Sequence, residues 1–213
     1  SVTRYYRHIM QLLVESMENS KYLRDKLLTL FIQSKNPILK NLADRILVLV
    51  NNANIGDSYE EWSILVAKLL NNLQNILESD IPEENRLAVK EIRKIILEYK
   101  LRKIAYAILE SQLSTDTFDK IKNVNMANTP ATYFCKLVER SPLFIPFSSF
   151  MTDLGDEITS EIDKSQLAVI HSNISRINKA LRDAGITESE IVIISKSKSG
   201  YALEFGGAHN LEP

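Results

Sequence analysis

The spacing of apolar residues in the first half of the chain limits what this protein can fold into. Apolar side chains recur there every three or four residues, as at Ile9, Leu12 and Leu13, which is the period of an amphipathic helix. Gly and Pro are scarce, at 6 each in 213 residues, so a fold that needs many tight turns is disfavoured. The pattern predicts a mainly α protein that begins with a bundle of about five helices over 1–112.

Start signals place two of these helices. Residues around Ser58 suit an N-cap, and the apolar period predicts a helix over 59–79. Asp80 precedes Pro82 and two glutamates, an order that predicts a long helix over 83–112. This long helix has basic residues that fit a solvated face, a phosphate contact or an interface with another chain: Lys90, Arg93, Lys94, Lys100, Arg102 and Lys103.

The composition changes after Gln112. Segment 113–128 is polar and rich in Asn, which predicts a linker with at most a short strand over 122–126. The sequence therefore predicts a domain for dimerisation or sensing (1–112), this linker, a second domain (129–206) and a tail (207–213).

The second domain contains an amphipathic helix over 166–184. Asp163 suits its N-cap with Gln166 as capping-box partner, and Gly185 suits the left-handed residue after its end. The helix has a narrow apolar stripe, formed by Leu167, Ile170, Ile174, Ile177 and Leu181. The opposite face has hydroxyls and cations, at Ser165, Ser172, Ser175, Arg176, Lys179 and Arg182.

Such a polar face suits the major groove of DNA, where short side chains and cations reach base edges and phosphates. The same pattern also fits the solvated face of a core helix. His171, beside the stripe, either flanks a base or faces water.

Two short strands with a basic turn follow this helix. Apolar residues alternate over 191–195 and 201–205, and Lys196-Ser197-Lys198-Ser199-Gly200 lies between them. Gly200 suits the positive φ of a tight turn. Lysines at a protruding tip can contact a phosphate backbone, although they also serve simply to blunt an edge strand.

The segment 129–205 resembles the OmpR/PhoB-type winged-helix domain of bacterial response regulators. The first two helices of that family correspond to TPATYFCKLVERSP and IPFSSFMTDL. Its recognition helix corresponds to NISRINKAL, starting at Asn173, and the end of its wing to GYAL, starting at Gly200. The order and spacing of these phrases agree with the family.

This chain also departs from the family pattern. Asn178, Ala180 and Ala202 replace basic residues, and the family's preceding four-stranded sheet is reduced to KIKNVNM. The N-terminal half has no apolar strands of the kind a receiver domain needs.

The resemblance implies a C-terminal winged helix-turn-helix (α+β) domain that binds double-stranded DNA in a transcriptional regulator. The recognition helix would enter the major groove, and the wing would follow the adjacent backbone. The implied contacts are Ser172, Asn173, Ser175, Arg176, Lys179 and Arg182 in the helix, with Lys196, Ser197 and Lys198 in the wing.

The charge of this domain argues against strong DNA binding by a single copy. From Met126 to Pro213 there are 8 Lys and Arg against 11 Asp and Glu, a net charge of −3. DNA binders usually have a basic surface because counterion release from phosphates supplies much of the affinity. We therefore expect a homodimer or a larger parent protein. The alternative is a winged helix that binds another protein within an assembly, without DNA.

The chain offers little for catalysis or metal binding. His8, His171 and His209 are far apart, and no HExxH or paired Cys/His spacing occurs. Cys135 lies in an apolar helical pattern that predicts a buried thiol. We expect no enzyme activity, no metal and no cofactor. A single cysteine favours a reducing compartment, which the resemblance implies is the bacterial cytoplasm. No apolar run is long enough to span a bilayer, so we expect no membrane partner.

Overall fold

The structure is a computed structural model that describes residues 59–80, 82–158 and 161–206, with a subset of the side chains in the first two helices. The helices predicted before Tyr59, the cap near Ser58 and the tail after Gly206 lie outside these residues. Helices are numbered here from the first described one.

The described residues form six helices and one β-hairpin. The helices are α1 (Tyr59–Glu78), α2 (Glu83–Gln112), α3 (Thr115–Lys122), α4 (Asn128–Arg140), α5 (Phe147–Met151) and α6 (Lys164–Asp183), and the strands are β1 (Ile191–Lys196) and β2 (Gly200–Phe205). The prediction of a mainly α chain is confirmed, and its C-terminal strands form a small antiparallel sheet.

The chain divides into two compact units between Lys100 and Leu101, inside α2. The sequence placed this boundary after Gln112. The end of α2 instead shares a hydrophobic core with the C-terminal elements, because Leu101 and Leu109 are buried in that core. A continuous helical period in the sequence gives no sign of such a division, because the helix backbone continues unchanged through the point where its packing partners change.

The segment predicted as a linker contains helix α3, so this part of the prediction is wrong. The hydroxyl of Ser114 caps the helix by accepting a hydrogen bond from the Thr117 N–H at 3.2 Å. Phe118 and Ile121 lie in the core, and no strand forms over 122–126. The polar composition concealed a short helix that buries one face.

The C-terminal unit packs around the apolar stripe of α6. Ile170, Ile174, Ile177 and Leu181 are each at most 4% exposed and share one core with α4 and the hairpin. Leu167 is only half-buried. Each fully buried side chain of this size stabilises the fold by about 1.5–3 kcal/mol, so the stripe fixes which face of α6 points outward.

Strand β2 lies between two partners. On one side it pairs antiparallel with β1, where Ser195 lies opposite Tyr201. On the other side, the N–H of Ile145 donates to the Tyr201 carbonyl at 2.7 Å, and the Tyr201 N–H donates to the Ile145 carbonyl at 3.1 Å. Of these three extended segments, β2 is therefore the central one and β1 lies at one of the two edges.

Two of the basic residues of α2 are buried rather than solvated. Arg102 is 2% exposed and donates to Asn128 Oδ1 at 2.7 Å and Thr132 Oγ1 at 3.0 Å. Lys103 is 5% exposed, and burial lowers its pKa to about 8. Arg102 thus ties α2 to the start of α4, and neither residue is placed for the predicted phosphate contact.

Candidate nucleic-acid interface

Helix α6 begins with the capping box predicted from the sequence. Asp163 Oδ1 accepts a hydrogen bond from the Gln166 N–H at 2.8 Å, and Gln166 Oε1 accepts one from the Asp163 N–H at 3.0 Å. The Gln166 N–H and the Ser165 hydroxyl hold the pKa of Asp163 below its ordinary value. Gly185 follows the helix with φ +81°, as predicted. These two end signals fix where α6 begins and ends, and therefore which residues its outward face contains.

The outward face of α6 has the predicted hydroxyls and cations. The exposed residues among the predicted contacts are Ser172, Ser175, Arg176, Lys179 and Arg182. Lys179 forms an ion pair with Asp183 at 2.9 Å, so its charge is partly balanced within the helix. Arg176 and Arg182 form no ion pair with any residue in the described part of the chain.

Asn173 does not belong to this face, which corrects its prediction as a DNA contact. It is 4% exposed, and its Nδ2 donates to the Val169 carbonyl at 3.1 Å. Burial raises the pKa of the nearby Tyr133 phenol and the Asn173 side chain acts in the opposite direction, whereas the buried Asn173 Oδ1 has no hydrogen-bond partner. Position 173 lies beside the apolar stripe, so its side chain points into the core.

The hairpin tip presents the predicted wing residues. Lys196, Ser197 and Lys198 are all exposed. Gly200 has the expected positive φ, at +147°, but Lys198 also adopts the left-handed region, at φ +63°. The sequence did not reveal this second position, because lysine adopts that region only when a turn requires it.

The chain before α5 lies against the wing. A Cβ on Gly200 would sit 1.8 Å from the Ile145 carbonyl oxygen, so only glycine permits this approach. Lys196 Nζ lies 5.8 Å from the centre of the Phe144 ring, within reach of a cation–π interaction. The base of the wing is thereby held in place, and Lys198 remains at the open tip.

His171 joins three elements beside the candidate interface. Its Nδ1 is hydrogen-bonded to the Tyr201 hydroxyl, and its ring packs edge-on against Phe147 and Tyr201 at centroid distances of 5.8 and 5.7 Å. The sequence left a choice between a base contact and water. The structure gives His171 a packing partner on α5 and another on β2.

Lys136 holds α5 against α4. Its Nζ donates to the carbonyls of Ser149 at 3.0 Å and Thr152 at 3.2 Å. Burial lowers the pKa of Lys136, and the Asp153 carboxylate acts in the opposite direction. The two short helices before α6 are therefore fixed to each other by a half-buried cation that no sequence motif marks.

The charges near α6 are separated along its length. Lys164 is its first residue, but Arg176, Lys179 and Arg182 lie in its C-terminal half. Exposed acids lie outside helix or strand before its start, as the sequence predicted: Asp153, Asp156, Glu157, Glu161 and Asp163. A phosphate backbone would be repelled by the start of α6 and attracted by its end and by the wing tip.

Exposed apolar residues also lie on these elements, and sequence reasoning missed them. Val169 on α6 is 47% exposed, and Leu143 and Phe144 before α5 are 63% and 38% exposed. A single apolar residue on a polar face, or two in a connection, gives no periodic signal. Only the packing shows that the core leaves them uncovered.

Other kinds of site find no support in the described residues. No group of three or more His, Cys, Asp or Glu in that part of the chain could hold a metal ion. None of the helices described there is long and apolar enough to cross a membrane. Cys135 is buried, as predicted.

Comparison of the chain with protein-family models, with curated proteins and with solved structures found no match.

Proposed function

We propose that residues 128–205 form a winged helix-turn-helix that binds duplex DNA, and that the protein is a transcriptional regulator. The observation that supports this most is the order of elements: helix α4, the extended Ile145, helices α5 and α6, and then the hairpin. Strand β2 of this hairpin also pairs with Ile145. In this function α6 is the recognition helix and the hairpin is the wing. The N-terminal helices serve dimerisation or sensing.

The charges favour a particular way of docking. Arg176, Lys179 and Arg182 recur every three residues along the exposed side of α6, so they extend along one side of the helix toward its C-terminal end. Together with Lys196 and Lys198 they supply the phosphate contacts. The hydroxyls of Ser172 and Ser175 are short enough for the helix to approach base edges closely.

The test of this function is a double variant, Arg176→Ala with Lys179→Ala. We expect weaker binding to DNA fragments that the wild-type protein retards. The slope of log affinity against log salt should shrink by about one for each phosphate that the variant no longer neutralises. The measurement is fluorescence anisotropy with selected genomic fragments at several salt concentrations.

The matched control is Lys122→Ala with Arg140→Ala, which removes the same charges from exposed positions on α3 and α4. It should leave the salt slope within error of the wild type. If the full chain retards no genomic fragment at low salt, or if both double variants lose affinity equally, the proposed function is wrong.

A second function is favoured by the exposed apolar residues. Val169 lies on the outward face of α6, where a DNA-reading helix would more commonly have a polar group. In this alternative the winged helix binds another protein within a larger assembly. Val169→Asp would then abolish partner binding, whereas in the DNA-binding function it would weaken affinity through added negative charge, and that effect would fade at high salt.

A further inference from the structure

The outer edge of β1 has backbone groups available for another strand. Tyr201 exchanges both of its backbone hydrogen bonds with Ile145, so its N–H and C=O point away from β1. Ser195, its partner in β1, is therefore in a non-hydrogen-bonded pair and turns its own N–H and C=O outward. Ile193, two residues earlier, does the same because of the period of two.

These outward groups have no partner within the part of the chain that the structure describes. No described residue hydrogen-bonds the backbone of Ile193 or Ser195, although the Ile191 N–H donates locally to the Thr187 carbonyl at 3.1 Å. A cleft of about 480 Å³ lies between β1 and the C-terminal half of α6, and Ile193 and Arg182 both line it.

The edge also lacks the usual protection against pairing. Proteins block edge strands with charges, prolines or bulges, yet Ile191–Ile194 contains only β-branched apolar residues and pairs with β2 without a bulge. Charge appears only at Lys196, the last residue of the strand. Val192, Ile193 and Ile194 remain half-exposed, which leaves apolar surface that strand pairing would cover.

We propose that β1 pairs antiparallel with β1 of a second copy of this chain, about a two-fold axis at Ile194. This register lets Ile193 of each copy exchange two hydrogen bonds with the second copy's Ser195. It places Ile194 beside Ile194 of the second copy. It also places Lys196 opposite Val192 of the second copy, so that no two lysines face each other. Charges beside the edge suit a self-pairing surface, since Arg182 and Glu188 line the same cleft with opposite signs.

This interface does not depend on DNA binding. It would join the two hairpins into one sheet and place two copies of α6 on a single assembly. A two-fold pair of α6 helices would double the number of phosphate contacts that one assembly makes with a DNA duplex. The interface can nevertheless form in a protein that binds no DNA at all.

The test uses disulfide formation across the axis. In a non-hydrogen-bonded antiparallel pair the Cα atoms lie about 4.5 Å apart, within the range that a disulfide spans. Full-length Ile194→Cys should form a covalent dimer on mild oxidation. The control Ser197→Cys places a more exposed thiol at the hairpin tip, away from the axis, and should crosslink far less. Cys135 is buried and stays in both proteins.

A second variant tests the hydrogen bonds themselves. Ser195→Pro removes an outward N–H that the β1–β2 ladder does not use, so the hairpin keeps its pairing. Sedimentation equilibrium should show self-association of the wild type and, for this variant, an association step at β1 with at least a tenfold larger dissociation constant and unchanged circular dichroism. Any association through the N-terminal helices would be the same in both proteins. The proposal is overturned if the wild type is monomeric at high concentration. It is also overturned if Ser195→Pro dimerises normally, or if Ile194→Cys crosslinks no better than Ser197→Cys.

Discussion

At the residue scale, Gly200 marks a close backbone approach in the wing. Its φ is +147°, and a Cβ there would lie 1.8 Å from the carbonyl oxygen of Ile145. The sequence indicated a turn glycine, but its second role depends on a segment more than fifty residues earlier in the chain. Sequence periodicity does not report such a contact.

We expect Gly200→Ala to destabilise the protein by about 3 kcal/mol, because the methyl group forces the wing away from Ile145 and the backbone remains strained. Urea unfolding followed by circular dichroism measures this change. Ser199→Ala is the matched control at an exposed neighbour and should stay within about 0.5 kcal/mol of the wild type. Equal stability of the two variants would contradict the packing described for Gly200.

Asn173 shows a different limit at the same scale. By residue type it resembles the other polar residues of NISRINKAL, and it was predicted as a DNA contact. The structure buries it against Val169 and Tyr133. A polar residue next to an apolar stripe can face either way, and the choice depends on whether the core supplies hydrogen-bond partners.

At the scale of elements, α6 was the best-predicted part of the chain. Its cap, its apolar stripe and its terminal glycine are all local signals, and each acts within one or two helical turns. Helix α3 was missed, although Phe118 and Ile121 have helical spacing, because two apolar residues among polar neighbours give little periodic signal.

The capping box makes a prediction about pH. The pKa of Asp163 is lowered in the folded state, so its contribution to stability is present above its unfolded pKa. That contribution is lost as the pH falls from about 4 through the lowered folded value. We expect Asp163→Ala to lower the denaturation temperature by a few degrees at pH 7, with the difference from the wild type shrinking at acidic pH.

Asp163→Asn is the control for this prediction, because asparagine keeps the hydrogen-bond acceptor and removes the titrating charge. It should stay close to the wild type at pH 7 and show a weaker loss of stability on acidification. Calorimetric scans of the three proteins at several pH values measure these differences. If Asp163→Ala matches the wild type at neutral pH, the box does not stabilise α6.

At the scale of the whole molecule, charge separation governs the proposed DNA binding. The exposed acids before α6 oppose the cations at its end, and the residues from Met126 to Pro213 have a net charge of −3. The affinity of this surface is therefore limited by its own acids as well as by the small number of cations.

We expect Glu157→Gln with Glu161→Gln to raise DNA affinity several-fold at low salt, because two exposed charges that repel phosphate are removed. The gain should vanish at high salt. Binding isotherms at two ionic strengths measure the effect. Glu139→Gln with Asp119→Asn removes the same charge from other exposed positions, and an equal gain from that pair would indicate a nonspecific effect of net charge.

The sequence by itself determined the described helices other than α3, the hairpin, the cap of α6 and the cations exposed on α6 and the wing, because each depends on neighbours within a few residues. Only the tertiary structure decided that α2 is shared between two units, that Arg102 and Asn173 are buried, and that β1 is an edge strand. These features depend on contacts between residues far apart in the chain. Local propensity and periodicity contain no information about which distant groups will meet.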